Sequence, residues 1–422
     1  MDSKSYRHNH YVPQWYQRRF MLPGQKQKEL FRLKLKPKTF IGPDGVQRNE
    51  NPEGLKPTKK LFYQEDLYTT EVYGITNTEI EQYFFGPIDN LGKRAIELLC
   101  GIEPRGSELP DFTDLLIFLC TQRLRTPKGL SWLAHKIASH ERKELLVHLQ
   151  RYQKAFGAIW TECVWQIVDA RNSATKFIVS DNPITIYNRQ CPPGTPLCGE
   201  IEDPDIRLTG THTIYPLSLK KALILTNLSW VRNPYESAET VRPNPSLFRD
   251  AIFMWTKIQT DRLLNEEEVL QMNYILKSRA SDHIAAARPE WLYPERRLKD
   301  IQWDRFGNGY LLMPDPRLVN FGGQILIGFK DGGSTGYDEY GHRPWDKDYN
   351  DEDRSTSEKE TFYRFQGEYS RLFGPKLRGR TLEHWRTERE EVSENLHQAY
   401  LAQEGQATDK SRSTGDPEPN AG

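Results

Sequence analysis

Hydrophobic positions recur with different periods in different parts of the chain. Between residues 77 and 156 the apolar side chains repeat every three or four positions, which is the period of an amphipathic helix. We predict one helix starting at Asn77, a second over 111–125 and a third over 130–156. Gly86-Pro87 should kink or split the first helix, because proline lacks the amide proton that a helix needs. These helices are expected to pack as an antiparallel bundle.

The pattern changes to short runs with a period of two, which is typical of strands. Residues 29–36 alternate apolar and basic side chains. Residues 163–169 and 177–186 are rich in Ile, Val and aromatic residues, and we predict two strands there with a turn at 171–173. Further strands are expected at 212–215 and 222–227. Asn265 followed by Glu268 is a capping box, so a helix should begin there and carry an inward stripe as far as His283 or Ile284.

These elements predict an α+β protein in which a helical bundle packs on a small, mostly antiparallel sheet. We divide the chain into a core domain at 1–295, a Gly-rich extension at 296–345 and a charged tail at 346–422. The tail should be helical near 382–401. Its last twenty residues are polar and contain Pro417 and Pro419, so the C-terminal end is expected to be disordered.

Composition excludes several classes of protein. The 422 residues are 37% hydrophobic and 11% aromatic, which is too aromatic for a disordered chain. No apolar stretch reaches the roughly 18 residues of a membrane span, and the first residues lack the core of a signal peptide. The five cysteines form no Cys-x-x-Cys pair, and Cys191 and Cys198 are separated by six residues. A disulfide scaffold and a structural zinc site are therefore disfavoured, and we predict a cytoplasmic protein without membrane contact.

Charge is balanced overall but unevenly distributed. The chain has 58 basic and 58 acidic residues, yet residues 1–60 hold 14 basic and 5 acidic ones. A segment this basic indicates an anionic partner such as nucleic acid or nucleotide phosphate. Alternatively, its lysines keep an exposed strand soluble.

The first candidate site lies near the N-terminus, where His10 precedes Arg18 and Arg19. Histidine exchanges protons near neutral pH, and arginine binds phosphate through forked hydrogen bonds. The His-x-x-Pro spacing resembles the first histidine of HNH-type metal-dependent nucleases, although no further histidine occurs before His135. The alternative is that His10 and Tyr11 pack against the core and lock the N-terminus.

Two more candidate clusters lie further along the chain. Asp181 and Asn182 follow an apolar strand, where a carboxylate can bind a divalent metal or can end the strand in an Asx turn. Gln122, Arg123 and Arg125 lie at a predicted helix end. There, arginines can bind an anion or can stabilise the helix macrodipole.

Four motifs in order make the chain similar to the family grouped as domain of unknown function 4238, over about residues 5–290. The motifs are His10-Tyr11-Val12-Pro13 followed by Arg19-Phe20, then Gln122 with Arg125-Thr126-Pro127, then Ser180-Asp181-Asn182-Pro183, and finally Tyr215-Pro216-Leu217-Ser218. The chain departs from the family in having Trp15 and Gln17. The resemblance implies that the motifs converge in one polar site between the bundle and the sheet.

We derive two functional hypotheses from these clusters. The first is a metal-dependent phosphodiester hydrolase acting on nucleic acid or nucleotides, whose general base His10 faces Asp181 in a solvent-reachable hollow. Its predicted residues are His10, Asp181 and Asn182 for catalysis, Asp181 for the metal, and Arg18, Arg19, Gln122, Arg123 and Arg125 for phosphate. The second is a non-catalytic module that binds nucleic acid through the basic N-terminal region or a protein through the tail. In that case the motifs serve folding alone.

Overall fold

Two main sheets, with helices packed around them, organise the described part of the chain. The computed structural model describes residues 8–72, 75–77, 80–101, 110–198, 203–253, 258–328 and 333–382. Helices and mostly antiparallel sheets occur together there, so the predicted α+β class is confirmed. Within these ranges no helix is long and apolar enough to cross a membrane.

The helices cluster between residues 86 and 161, where the bundle was predicted. A π-helical turn at Glu81–Phe85 leads directly into the first long helix. The α-helices are α1 (Gln14–Gln17), α2 (Gly86–Cys100), α3 (Phe112–Leu124), α4 (Pro127–Ile137), α5 (Arg142–Arg151), α6 (Gly157–Thr161), α7 (Leu228–Arg232), α8 (Glu266–Arg279) and α9 (Glu352–Phe373). Short 3₁₀ turns occur at Arg18–Phe20, Thr58–Lys60, Tyr152–Lys154, Pro196–Cys198, Pro289–Leu292, Pro294–Arg296, Trp303–Gly309 and Pro316–Leu318.

The strands form a six-stranded sheet, a four-stranded sheet and several hairpins. The strands are β1 (His8–His10), β2 (Glu29–Lys34), β3 (Thr39–Ile41), β4 (Gln47–Asn49), β5 (Glu53–Pro57), β6 (Tyr63–Glu65), β7 (Thr70–Val72), β8 (Ile75–Asn77), β9 (Cys163–Asp169), β10 (Val179–Ser180), β11 (Thr185–Asn188), β12 (Thr211–Pro216), β13 (Lys221–Asn227), β14 (Gln259–Leu263), β15 (His283–Ala286), β16 (Ile325–Gly328), β17 (Ser334–Tyr337) and β18 (Arg380–Thr381). The larger sheet has the order β11-β12-β13-β9-β14-β18, and the smaller has the order β10-β15-β2-β5. Only the β9–β14 pair in them is parallel.

The helix prediction over 130–156 was wrong in its continuity. Helix α4 ends at Ile137 because Ala138 adopts the left-handed conformation with φ of 52°, and α5 begins only at Arg142. Hydrophobic periodicity continues across this break, so the pattern alone could not reveal it. The helix changes from π to α at Gly86, beside Pro87, which is the position where the sequence predicted a kink or split.

Two strand predictions also need correction. The predicted strand at 177–186 is divided between β10 in the smaller sheet and β11 in the larger sheet. The turn at 171–173 exists, but β9 pairs with β13 and β14 and not with β10.

The capping box at Asn265 is present as predicted, yet α8 ends at Arg279. His283 and Ile284 therefore belong to β15, because the backbone at Ala280 is already extended.

Within 296–328 and 333–382 the chain forms more helix and strand than the sequence predicted. Helix α9 was not predicted, and it buries Phe362, Phe365 and Tyr369 in a second apolar cluster together with Tyr310. Strand β18 then pairs with β14 and attaches this region to the larger sheet. The predicted disordered end and nearly all of the predicted helix at 382–401 lie outside the described residues. The division into three domains stays a prediction.

Helix α4 starts so close to the end of α3 that only glycine fits at position 129. A Cβ atom on Gly129 would lie 2.0 Å from the carbonyl oxygen of Arg123. We expect Gly129→Ala to lower the free energy of unfolding by at least about 2 kcal/mol, because rigid backbone cannot relax around the clash. Gly157→Ala is the matched control, since nothing lies within 4 Å of its added Cβ. Urea denaturation measures both, and equal effects would contradict the argument.

Candidate functional site

The opening motif, His10-Tyr11-Val12-Pro13, meets the end of α3 in a buried polar network. The side-chain amide of Gln122 donates to the carbonyl oxygen of Tyr11 at 2.9 Å. Its Oε1 atom in turn accepts from Nε of Arg125 at 2.9 Å. Because these two residues are three positions apart at the end of α3, they share one face of the helix. The convergence of these two motifs therefore occurs, and it runs through a backbone atom.

The Arg125 guanidinium is fully committed to protein groups. It is 1% exposed and forms an ion pair with Asp89, at 2.8 Å between Nη2 and Oδ1. It also lies 5.6 and 5.9 Å from the ring centres of Phe85 and Phe118. Burial acts to lower the pKa of Arg125, but the carboxylate of Asp89 outweighs it, and the pKa is raised. All of these partners belong to the protein interior, and phosphate could reach this arginine only by displacing them.

Asp181 anchors a turn of the backbone. Its Oδ1 accepts from the amide of Ser281 at 2.8 Å, and its Oδ2 accepts from the amides of Asp282 at 2.6 Å and His283 at 3.0 Å. The residue is 3% exposed. A carboxylate that receives three consecutive amides at the end of a strand is typical of a structural cap. The neighbouring Asn182 side chain donates to the carbonyl of Arg279 at 3.4 Å, which ties the same turn to α8.

Within the opening motif, the charge of Asp181 affects the ionisation of Tyr11, the neighbour of His10. Burial, followed by the charges of Asp181 and Asp282, raises the pKa of Tyr11. His10 has different partners: its Nε2 lies 3.3 Å from the carbonyl of Lys59, and its ring lies against Tyr63. Burial lowers the pKa of His10, although the Lys59 carbonyl opposes the shift. These contacts agree with the interpretation that His10 and Tyr11 lock the N-terminus.

His283 is the participant that the sequence analysis missed. Its ring stacks on Phe62 at 4.7 Å with an interplanar angle of 9°. Its Nε2 accepts from the amide of Phe62 at 3.4 Å, while Nδ1 lies 3.4 Å from Asp282 and 4.0 Å from Asp181. Phe62 has φ of 50°, which is unusual for a bulky residue, and the stacked imidazole helps to hold it there. No motif marks His283, because the placement of β15 beside β10 brings it into position.

The other predicted phosphate ligands also bind protein atoms. Arg18 donates to the carbonyl of Gln14 at 3.1 Å; Arg19 donates to the carbonyl of Leu217 at 2.7 Å and to Sγ of Cys100 at 3.0 Å; Arg123 lies 3.5 Å from Asp203 and donates to the carbonyl of Ile184 at 3.4 Å. Of the three, only Arg18 is exposed. Their contacts account for these arginines without a ligand.

The described residues contain no group of three or more His, Cys, Asp or Glu side chains that could hold a metal ion. The predicted site at Asp181 therefore has no accompanying set of ligands in that part of the chain. A cavity of about 150 Å³ exists elsewhere, and Glu162, Arg249, Asp338 and Glu339 are among its lining residues. None of the predicted site residues lines this cavity. The catalytic and metal roles of His10, Asp181 and Asn182 stay predictions.

Comparison with known proteins identifies the family of one segment. Residues 136–290 match the model of a protein family of unknown function, DUF4238, so the predicted membership is confirmed for this segment. The Ser-Asp-Asn-Pro and Tyr-Pro-Leu-Ser motifs lie inside the match, whereas the opening motif and the end of α3 lie before it. Neither a curated protein nor a solved structure matches the chain.

The Asp181 anchor predicts a loss of stability when its oxygens are removed. Asp181→Ala leaves three partly buried amides without an acceptor, and we expect the free energy of unfolding to fall by about 2–4 kcal/mol. Asp181→Asn keeps one oxygen and should lose less. His10→Ala is the control and should cost less than about 1 kcal/mol, because its hydrogen bond is partly exposed. Urea denaturation at neutral pH measures the series, and equal losses for Asp181→Ala and His10→Ala would refute the anchor.

Glu81 predicts a pH dependence of the same network. Burial, reinforced by Asp89 and opposed by Arg125, raises the pKa of Glu81 from 4.5 to about 7. Its Oε2 has no hydrogen-bond partner among the described residues. The folded state therefore keeps a proton that the unfolded chain releases, so stability should fall as pH rises from about 4.5 through about 7.

Glu81→Gln tests this pH dependence, since glutamine keeps the shape of the side chain and cannot ionise. Relative to the unsubstituted chain, the variant should gain roughly 1–3 kcal/mol of stability between pH 5 and pH 8. Thermal and urea unfolding at both pH values provide the comparison. A difference between the two proteins that does not vary with pH would show that Glu81 is already ionised in the folded state at pH 5.

Proposed function

We propose that the protein binds double-stranded nucleic acid without catalysis, through the two-stranded ribbon formed by β3 and β4 and the lysines that flank it. The observation that carries this proposal is the exposure of the ribbon: all six residues of its strands are exposed. Both faces of the ribbon are therefore in solvent, which is a poor arrangement for a hairpin that serves only the core. An anionic duplex is a partner that would cover it.

One face of the ribbon combines cations with an aromatic ring. Phe40 lies directly opposite Arg48 in the register, and Lys38 is two residues before Phe40 and therefore shares its face. Phe40 is 49% exposed. Arg48 pairs with Asp44 at 2.7 Å, but both side chains are about half exposed, so this pair contributes little and is easily exchanged for phosphate.

The tip of the ribbon is apolar and exposed. Ile41 and Val46 flank the turn and are 74% and 54% exposed. Gly45, with φ of 77°, lets the chain reverse between them. The major groove of B-form DNA is about 12 Å wide and admits a two-stranded ribbon, and apolar side chains there contact thymine methyl groups. The tip thus has the chemistry of a groove contact, and the cations behind it have the chemistry of phosphate contacts.

Further exposed lysines flank β2 and β5, the two strands that precede and follow the ribbon in the chain. Lys26, Lys28, Lys36, Lys59 and Lys60 are all exposed. The nearby carboxylate of Glu50 is engaged by Lys34 at 2.7 Å, and this ion pair lowers the pKa of Glu50. Because Glu50 pairs with Lys34, it does not occupy the exposed lysines, and these remain available to an anion.

The hydrolase hypothesis stays a prediction, and the contacts of Asp181 give it less support than the ribbon gives to binding. A protein partner for the tail is likewise a prediction, since residues 383–422 lie outside the described ranges. Duplex binding and duplex cleavage can be measured on the same sample with Mg²⁺ or Mn²⁺ present or absent. Cleavage that disappears in His10→Ala and Asp181→Ala without a change in thermal midpoint would favour the hydrolase.

Neutralising the ribbon tests the proposed function. The triple variant Lys36→Gln, Lys38→Gln, Arg48→Gln should bind a labelled duplex about 10–100-fold more weakly at 0.1 M salt, because it forms fewer phosphate contacts. The slope of log affinity against log salt should become shallower by about three units. Fluorescence anisotropy with duplex DNA and duplex RNA measures both quantities.

The matched control removes the same charge from other exposed positions. The control is the triple variant Lys143→Gln, Arg305→Gln, Lys347→Gln. These exposed residues lie on α5, on the 3₁₀ turn at Trp303–Gly309 and after β17, respectively. This variant should keep nearly the full affinity and salt slope. Equal losses of affinity in the two variants would show that only net charge matters and would contradict a binding site on the ribbon. The absence of salt-dependent binding in the unsubstituted chain would refute the proposal.

A further inference from the structure

Two cysteines that are separated by six residues meet beneath a surface loop. Cys191 follows β11, and Cys198 ends the 3₁₀ turn at Pro196–Cys198. The chain doubles back between them, because the amide of Thr195 donates to Pro192 at 3.3 Å and the amide of Cys198 donates to Thr195 at 3.0 Å. Both thiols are free. A loop of this shape brings two sulfur atoms to one place.

The two sulfur atoms share a hydroxyl partner. The Oγ1 atom of Thr195 lies 3.5 Å from Sγ of Cys198 and 3.9 Å from Sγ of Cys191. The Cys198 thiol also lies 3.5 Å from the carbonyl oxygen of Cys191 and 3.1 Å from that of Pro192. The sulfurs are thus neighbours in a polar setting, which differs from the environment of a cysteine packed only in an apolar core.

A buried arginine points at one of the two sulfurs. Nη1 of Arg279 lies 3.3 Å from Sγ of Cys198, and Nη2 donates to the carbonyl of Cys191. Arg279 is 1% exposed, and its guanidinium lies 5.1 Å from the ring centre of Trp303. A guanidinium held this way favours the thiolate form of the cysteine in front of it.

The two thiols consequently differ in acidity. Burial acts to raise the pKa of Cys198, but hydrogen bonds from Cys191, Thr195 and Arg279 outweigh it, and the pKa is lowered. Burial, together with the neighbouring Cys198 sulfur, raises the pKa of Cys191 to about 11. One sulfur is thus prepared to attack and the other retains its proton. Cys100, Cys120 and Cys163 all have raised pKa values, chiefly because they are buried.

Only a thin layer of chain separates the thiols from solvent. Cys191 and Cys198 are 2% and 1% exposed, yet Pro193, Gly194 and Leu197 between them are exposed. A small oxidant therefore needs no more than a local opening of this loop to reach the sulfurs, and such openings cost less than global unfolding.

We propose that Cys191 and Cys198 form a peroxide-reactive dithiol site that closes to an intramolecular disulfide. The Cys198 thiolate attacks one oxygen of a hydroperoxide, the O–O bond breaks, and the leaving oxygen takes up a proton as water or alcohol. Cys198 becomes a sulfenic acid. The Cys191 sulfur then attacks the Cys198 sulfur and loses its proton, the S–O bond breaks, and water leaves. In sum, two thiols are oxidised and one hydroperoxide is reduced.

Arg279 also connects the dithiol site with the Asp181 turn. A disulfide sulfur carries no charge, so the guanidinium loses a charge-assisted hydrogen bond. The carbonyl of the same residue accepts from Asn182 at 3.4 Å and from Lys128 at 3.1 Å. Two contacts, from Cys198 to Arg279 and from Arg279 to Asn182, therefore join the dithiol site to the Asp181 turn.

Thiol counting after peroxide treatment tests the proposal on the full chain. The reduced protein receives one equivalent of hydrogen peroxide, is denatured in an alkylating reagent, and is analysed by peptide mass spectrometry. We expect the count of free thiols to fall from five to three, with Cys191 and Cys198 recovered as one disulfide-linked species. The control Cys100→Ser should also lose two thiols, because Cys100 contacts Arg19 but has no part in the pair.

Single-cysteine variants distinguish this chemistry from random oxidation. In Cys191→Ser the Cys198 sulfenic acid cannot be resolved, so dimedone should label Cys198. In Cys198→Ser the rate of thiol loss should fall by about tenfold or more, since the remaining Cys191 keeps its proton. Labelling of Cys100 in place of Cys198, or an unchanged rate in Cys198→Ser, would overturn the proposal. Near-UV circular dichroism verifies that each variant is folded.

Discussion

The binding of three consecutive backbone amides by the Asp181 carboxylate is the constraint on which the rest of the N-terminal arrangement depends. It fixes the end of β10 to the turn that starts β15, and β15 in turn pairs with β2. The same turn presents the His283 ring to Phe62, whose carbonyl accepts from the amide of Val12 at 3.5 Å. One buried acid therefore positions strands that are more than a hundred residues apart in sequence, because an acid without those amides could not remain buried.

A second polar anchor holds the same segment from the helical side. The side chain of Gln122 accepts a hydrogen bond from Arg125 and donates one to the Tyr11 carbonyl. The carboxylate of Asp89 neutralises the arginine. Each of these groups would be costly to bury alone, and together they satisfy one another. Such networks specify a unique arrangement more than they add net stability. This explains how an arrangement of His, Asp and Arg that resembles an active centre can serve to join a bundle to a sheet.

The sequence predicted correctly those elements that depend only on neighbouring residues. The strand Cys163–Asp169 and the capped helix after Asn265 were found because period and capping are written within a few residues. The break at Ala138 was not found, because hydrophobic periodicity continues across its left-handed residue. The division of 177–186 between two sheets was not found either, because it depends on distant strand partners. For the site, the sequence identified Gln122, Arg125 and Asp181 but not their bonding atoms. Gln122 and Asp181 bind backbone groups, which no side-chain motif encodes, and Arg125 binds Asp89, which no candidate cluster contained.

The burial of these motifs shifts the search for function to surfaces that the core does not use. The sequence did not predict the ribbon, because the glycines and prolines of residues 39–60 hide its short register of exposed pairs. Three paired residues on each strand would not hold such a ribbon in water unaided, so its base has to be tied down. The hydrogen bond from the Glu50 amide to the Lys38 carbonyl, and the ion pair between Glu50 and Lys34, provide that tie. The acid that fixes the ribbon thus binds a lysine of β2, and it leaves Lys36 and Lys38 for an external anion, beside Arg48 in its half-exposed pair with Asp44.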